Sequence, residues 1–123
     1  MQLTKNFNLS EFKSKDGSEF PSHVIIDNIK ELAENLQVIR DYVGVPISIN
    51  SGYRSPEHNK AIGGKKESFH LKGMASDLSC EIGPEKLHEI IYMLMVRRKI
   101  KHGGHKAYNT FVHYDIRGWL ATW

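Results

Sequence analysis

The sequence predicts an α+β fold in one domain spanning residues 1–123, with a small, mainly antiparallel sheet packed against helices. Three observations carry that expectation. A long stripe of apolar residues at helical spacing lies between residues 25 and 43. Three short strand-like stretches follow at wide intervals, separated by helical segments and loops, in the order α-β-α-loop-β-α-β. The 123 residues, 40% hydrophobic and 25% charged, suffice for one buried core and need no disulfide staples.

Residues 1–22 read as irregular, with a short helical turn near 10–13 and a turn at Asp16-Gly17. Ile25, Ile29, Leu32, Leu36, Ile39 and Val43 then repeat at intervals of four and three, which aligns them on one helical face. Gly44 follows as a C-terminal stop. Residues 46–50 alternate apolar and polar, as a half-buried strand does. Ser51-Gly52-Tyr53-Arg54 leaves that strand in a turn. Ser55-Pro56-Glu57 combines a cap, a proline at the first helical position and an acid in the first turn, so a short helix should run to about Ile62. Residues 63–68 read as a flexible loop and 74–79 as a second strand. Gly83-Pro84-Glu85 opens another helix, whose apolar face is Leu87, Ile90, Ile91, Leu94 and Met95, and Gly103-Gly104 ends that region. Residues 110–116, rich in β-branched and aromatic side chains, form the third strand.

Charge and cysteine content narrow the function classes. The 17 basic and 14 acidic residues leave a formal charge of only +3, and Arg97-Arg98-Lys99 is the densest basic cluster. That argues against a nucleic-acid partner. A single cysteine, Cys80, excludes an intrachain disulfide and reads as a small buried hydrophobe. The first residues carry no apolar secretory segment, and no run approaches the roughly 20 apolar residues of a membrane span. The expectation is a monomer synthesised and folded in a cytoplasm.

Seven histidines occur, and two draw interest through local geometry. His70 precedes Asp77 by seven residues, with Gly73 between them permitting a tight turn. On the third strand, alternation puts Phe111, His113, Asp115 and Arg117 on one face and the apolar Val112, Tyr114 and Ile116 on the other. Two imidazoles and a carboxylate suit Zn²⁺, and three protein ligands leave a fourth position open, the pattern of catalytic sites. The competing reading is an incidental histidine and an aspartate that caps or forms an ion pair. His23, His58, His88 and His102 read as structural or solvent-exposed.

The motifs add a resemblance. Ser51-Gly52-Tyr53-Arg54-Ser55, Asn59, Gly63-Gly64, Ser68-Phe69-His70, Gly73, Ala75 and Asp77 resemble the M15 peptidases, zinc D-Ala-D-Ala carboxypeptidases and wall endopeptidases that share a core with the Hedgehog signalling domain. The signature S-x-H-x-x-G-x-A-x-D is intact from Ser68 to Asp77. The stretch from Phe111 to Gly118 is similar to the family's F-V-H-x-D-x-R. The likeness runs from about residue 47 to 119.

The resemblance implies a zinc-dependent peptidase that hydrolyses peptidoglycan stem peptides, with His70, Asp77 and His113 as metal ligands. Arg54 would face a substrate carbonyl or carboxylate, and Ser68 would support the ligand loop. The family often carries an acid just before the last zinc histidine, and residues 105–112 contain none. Asp115 is then the best carboxylate, either as general base or as a partner that orients a ligand imidazole. His105, which stands where relatives more often carry an apolar residue after Gly-Gly, is another candidate for the base, with an exposed loop histidine as the competing reading, and Tyr108 could donate to an oxyanion. The missing acid leaves a second reading open, a zinc-binding module of the same fold that binds cell wall or a protein without cutting. An enzyme of this kind without a secretory segment would reach the wall only if released, as in phage lysis.

Overall fold

The computed structural model describes residues 1–123. Helix α1 (His23–Val43) forms where the apolar stripe lies. The Ser22 hydroxyl accepts from the Ile25 N–H at 3.4 Å, and Gly44 closes the helix at φ 72°. Ile29, Leu32, Ala33, Leu36 and Ile39 are buried, and Ile25 and Val43 pack at the margins of the same core. Before α1, a 3₁₀ turn (Leu9–Phe12) is held by a reciprocal cap between Asn8 and Glu11 and buries Phe12.

Strands β1 (Ser48–Ser51), β2 (Ala75–Ser79), β3 (His105–Ala107) and β4 (Val112–Asp115) make a four-stranded sheet in the order β1-β2-β4-β3. Every pairing is antiparallel. Helix α2 (Pro56–Ala61) carries the expected Ser55 cap, and α3 (Pro84–Val96) buries Leu87, Ile91, Leu94 and Met95. No helix is long and apolar enough to cross a membrane.

Three features depart from the sequence expectations. Strand β3 was not expected, because His105-Lys106-Ala107 has neither length nor apolar alternation; it exists through its hairpin with β4. Residues 69–72, between the expected loop and strand, form a second 3₁₀ turn (Phe69–Lys72). Cys80 is half-buried at the core margin rather than enclosed.

Register decides what each sheet face carries. Leu78 lies opposite Val112, and Ser76 opposite Tyr114, on the face that joins α1 and α3 in the core. Asp77 lies opposite His113, and Ala75 opposite Asp115, on the other face. Strand β1 would put Ile49 and Ser51 on one face, but its register slips between them. Ile49 therefore pairs with core-facing Leu78, while Ser51 pairs with Asp77. An extra residue in one strand re-aims the side chains beyond it, and here it turns the β1 end toward the polar face.

Candidate metal centre

The polar face gathers its donors from three elements. His70 sits in the Phe69–Lys72 turn, where the Ser68 hydroxyl accepts from its backbone N–H at 3.2 Å. Gly73 ends the turn at φ 71°, and a side chain there would also press on the Ile25 carbonyl of α1, 2.9 Å away. The Gly52 carbonyl accepts from His70 Nδ1–H at 2.8 Å. A carbonyl can only accept, so Nδ1 carries a proton and Nε2 is the nitrogen turned to the site. That Nε2 lies 3.4 Å from Asp77 Oδ1. His113, on β4, brings Nδ1 to 3.3 Å from the same oxygen.

Asp115 sets the second tautomer. Its Oδ2 accepts from His113 Nε2–H at 2.7 Å, which leaves His113 Nδ1 facing Asp77. Asp115 is fully buried and receives five donors: Gly104 N–H, Arg117 N–H and Nε–H on Oδ1, with Arg117 NH2 and His113 Nε2 on Oδ2. Burial works against its charge, yet Arg117, His113 and the Gly104 N–H hold its carboxyl well below the usual carboxylate range. A side chain at Gly103 would run into the Asp115 backbone carbonyl, and one at Gly104 into its carboxylate, so both glycines permit this close packing.

Asp77 shows the same contest. Burial opposes its ionisation, and hydrogen bonds and charge from His113 and His70 hold it well below the usual range. For His113, burial disfavours the cation, but Asp115 and Asp77 push its pKa up. Three groups able to serve as ligands converge here on one point. His70, Asp77 and His113 each offer one atom, all within 4.8 Å of one another. Two imidazoles with their far nitrogens anchored, plus one carboxylate, fit a divalent transition metal with an open coordination position.

Arg54 packs behind this group. Its Nε donates to Ser51 Oγ at 3.2 Å, NH1 to Asn59 Oδ1 at 3.3 Å and NH2 to Asp77 Oδ2 at 3.2 Å. Asn59, at the end of α2, also donates to the Lys65 carbonyl at 2.9 Å, tying the 63–65 loop to the arginine. The cavity over the donors measures about 280 Å³, and its walls include Arg54, Lys65, Ser68, Tyr108, Phe111 and Trp123. Asp77 is its only carboxylate. A broader depression of about 490 Å³ lies at the start of α3 and shares Tyr108, but it holds no imidazole.

His105 is not at this site. It pairs with Tyr114 in the sheet and so points to the α3 side, where its Nδ1 meets His88 Nε2 at 2.9 Å and its ring lies 5.3 Å from Tyr92. Burial and the neighbouring His88 both lower its pKa. Two contributors escaped the sequence reading. Arg117 shares a face with His113 in the alternation, a signal that was present without a partner to interpret it. Trp123, whose ring stands 5.1 Å from that of His113, lies past the last recognisable motif and carried no signal.

A model of the family Peptidase M15 matches residues 3–115. The chain belongs to that family. No curated protein matches it. Membership places this M15 chain among peptidases, and the matched span contains all three candidate donors together with Arg54 and Asp115.

Proposed function

We propose that this M15 chain is a zinc peptidase that hydrolyses amide bonds in the stem peptides of peptidoglycan. The observation that carries the reading is the pair of anchored rings: Gly52 and Asp115 each hold one nitrogen of an imidazole, so that both remaining nitrogens face Asp77. His70, Asp77 and His113 would hold the ion. When bound, zinc supplies Lewis-acid polarisation of a carbonyl and lowers the pKa of a water.

The chain's own groups divide the remaining work. Asp115 has no exposed oxygen and five donors already, so we assign it to orienting His113 rather than to taking a proton from water. Arg54, with an acceptor on each guanidinium nitrogen, holds Asp77 and the substrate-side loop in place. Ser68 fixes the turn that presents His70. Lys65 leaves a cation at the rim of the cleft, which suits peptides that carry carboxylates.

The absence of a second carboxylate in the cavity favours one alternative, a module that holds metal and wall peptide without cutting. Mass spectrometry of purified peptidoglycan after incubation with the zinc-loaded protein separates the two. Released stem-peptide fragments, abolished by a chelator and by His113→Ala, are the expected result, and the fragment masses name the bond. Intact peptidoglycan beside a protein that binds one zinc would establish the module instead.

A further inference from the structure

The indole of Trp123 is 43% exposed, yet it is restrained on several sides. It makes an edge-to-face pair with the His113 ring, centroids 5.1 Å apart and planes at 70°. Lys65 Nζ lies 4.9 Å from its centroid, and the Arg117 guanidinium carbon 5.6 Å. Cations over an indole face are attracted by its quadrupole, so Lys65 from the 63–65 loop and Arg117 from the segment after β4 both hold the ring. Its Nε1–H donates to the Tyr108 phenol oxygen at 3.0 Å.

That last contact has a chemical consequence. An indole N–H can only donate, so Tyr108 is the acceptor and its own O–H remains free to donate elsewhere. Tyr108 comes from the β3–β4 turn, where its N–H bonds the Phe111 carbonyl at 2.8 Å. Its ring stacks on Phe111 with centroids 4.6 Å apart. The phenol shares the cavity wall with Arg54, His70 and His113. Arg54 is tied to Ser51, Asn59 and Asp77, and Tyr108 brings to the same wall a phenol that accepts from Trp123 and whose own O–H has no acceptor within the protein.

We infer that Tyr108 donates to the oxyanion that develops on the scissile carbonyl, and that Trp123 is the positioning residue that aims it. This rests on the hydrolytic function proposed above. The phenol stabilises charge by hydrogen bonding and transfers no proton. A donor held in place before reaction loses nothing to reorganisation as charge builds, and Trp123 provides that restraint from outside the matched family span.

Kinetics on peptidoglycan fragments test the assignment. Tyr108→Phe should lower kcat about 100-fold, the loss expected for one oxyanion donor, with KM nearly unchanged because the bond forms only in the transition state. Trp123→Phe keeps a ring and removes the N–H, and should lower kcat roughly 5-fold, as one neutral hydrogen bond would. The double variant should match Tyr108→Phe alone, since Trp123 acts through Tyr108. Full kcat in Trp123→Phe, or losses that multiply in the double variant, would overturn the role. Metal content by elemental analysis should stay at the wild-type level in both single variants; loss of metal from Trp123→Phe would make the residue structural instead. A readout independent of turnover uses Trp119→Phe, which leaves Trp123 as the only indole. Co²⁺ loading should quench its emission strongly, and emission indifferent to Co²⁺ would put the ring away from the centre and sink the proposal. A wild-type chain that binds metal and releases nothing ends the peptidase reading along with this one, whereas an active chain indifferent to Trp123→Phe ends this one alone.

Discussion

At the scale of single residues, the candidate centre depends on protons being in the right places. His70 and His113 are each tied at one nitrogen, by the Gly52 carbonyl and the Asp115 carboxylate, and each turns the other nitrogen toward Asp77. Asp115→Asn keeps the shape but removes the charge that holds Arg117 and orders the His113 tautomer. Metal affinity should fall about 10- to 100-fold, the usual cost of losing such an outer partner, measured by competition with a chromophoric chelator. Unchanged affinity would mean that Asp115 does something other than orient His113. The ligand triad and Asp115 were legible in the sequence through motif and alternation. The role of Asp115 was not, because base and orienting partner use the same residue type at the same position and differ only in what already occupies its oxygens.

At the scale of elements, the helices were readable and the sheet only in part. Helix α1 declares itself by its stripe, and the buried residues of that stripe coincide with the predicted face. Leu32→Ala, at a fully buried position, should destabilise the protein by about 2–5 kcal/mol through lost burial and a cavity. Val38→Ala, on the same helix but 37% exposed, should change stability by less than about 0.5 kcal/mol. Chemical denaturation of the two variants checks the contrast, and equal losses would mean that α1 is packed differently. Strand β3 illustrates the opposite case. Three residues with no pattern of their own become a strand because β4 offers them a pairing edge, and that pairing sends His105 to the α3 side. Without β3, its place after Gly-Gly in the family pattern made His105 look like a candidate base.

At the scale of the molecule, the core and the candidate centre lie on opposite faces of one sheet. The 18-residue apolar cluster contains none of the three candidate ligands. Folding should therefore not require metal, and metal should add stability by mass action. Zinc at 100 times its dissociation constant should add about 2.7 kcal/mol, seen as a rise in Tm that His113→Ala abolishes. A metal-free chain that is unfolded would show the centre to be a structural staple instead.

Apolar periodicity, capping residues and the spaced His-x₆-Asp and His-x-Asp motifs are local properties, and local properties survive in a linear chain. They determined the helices, the α+β class, the family and the three candidate donors. Tertiary structure alone decided which imidazole nitrogen turns to the site, that Asp115 is enclosed, that Arg54 is engaged, that His105 faces away and that Trp123 returns to cover the site. Each of these depends on which distant groups meet, and pairing register and burial settle that only once the chain has closed on itself.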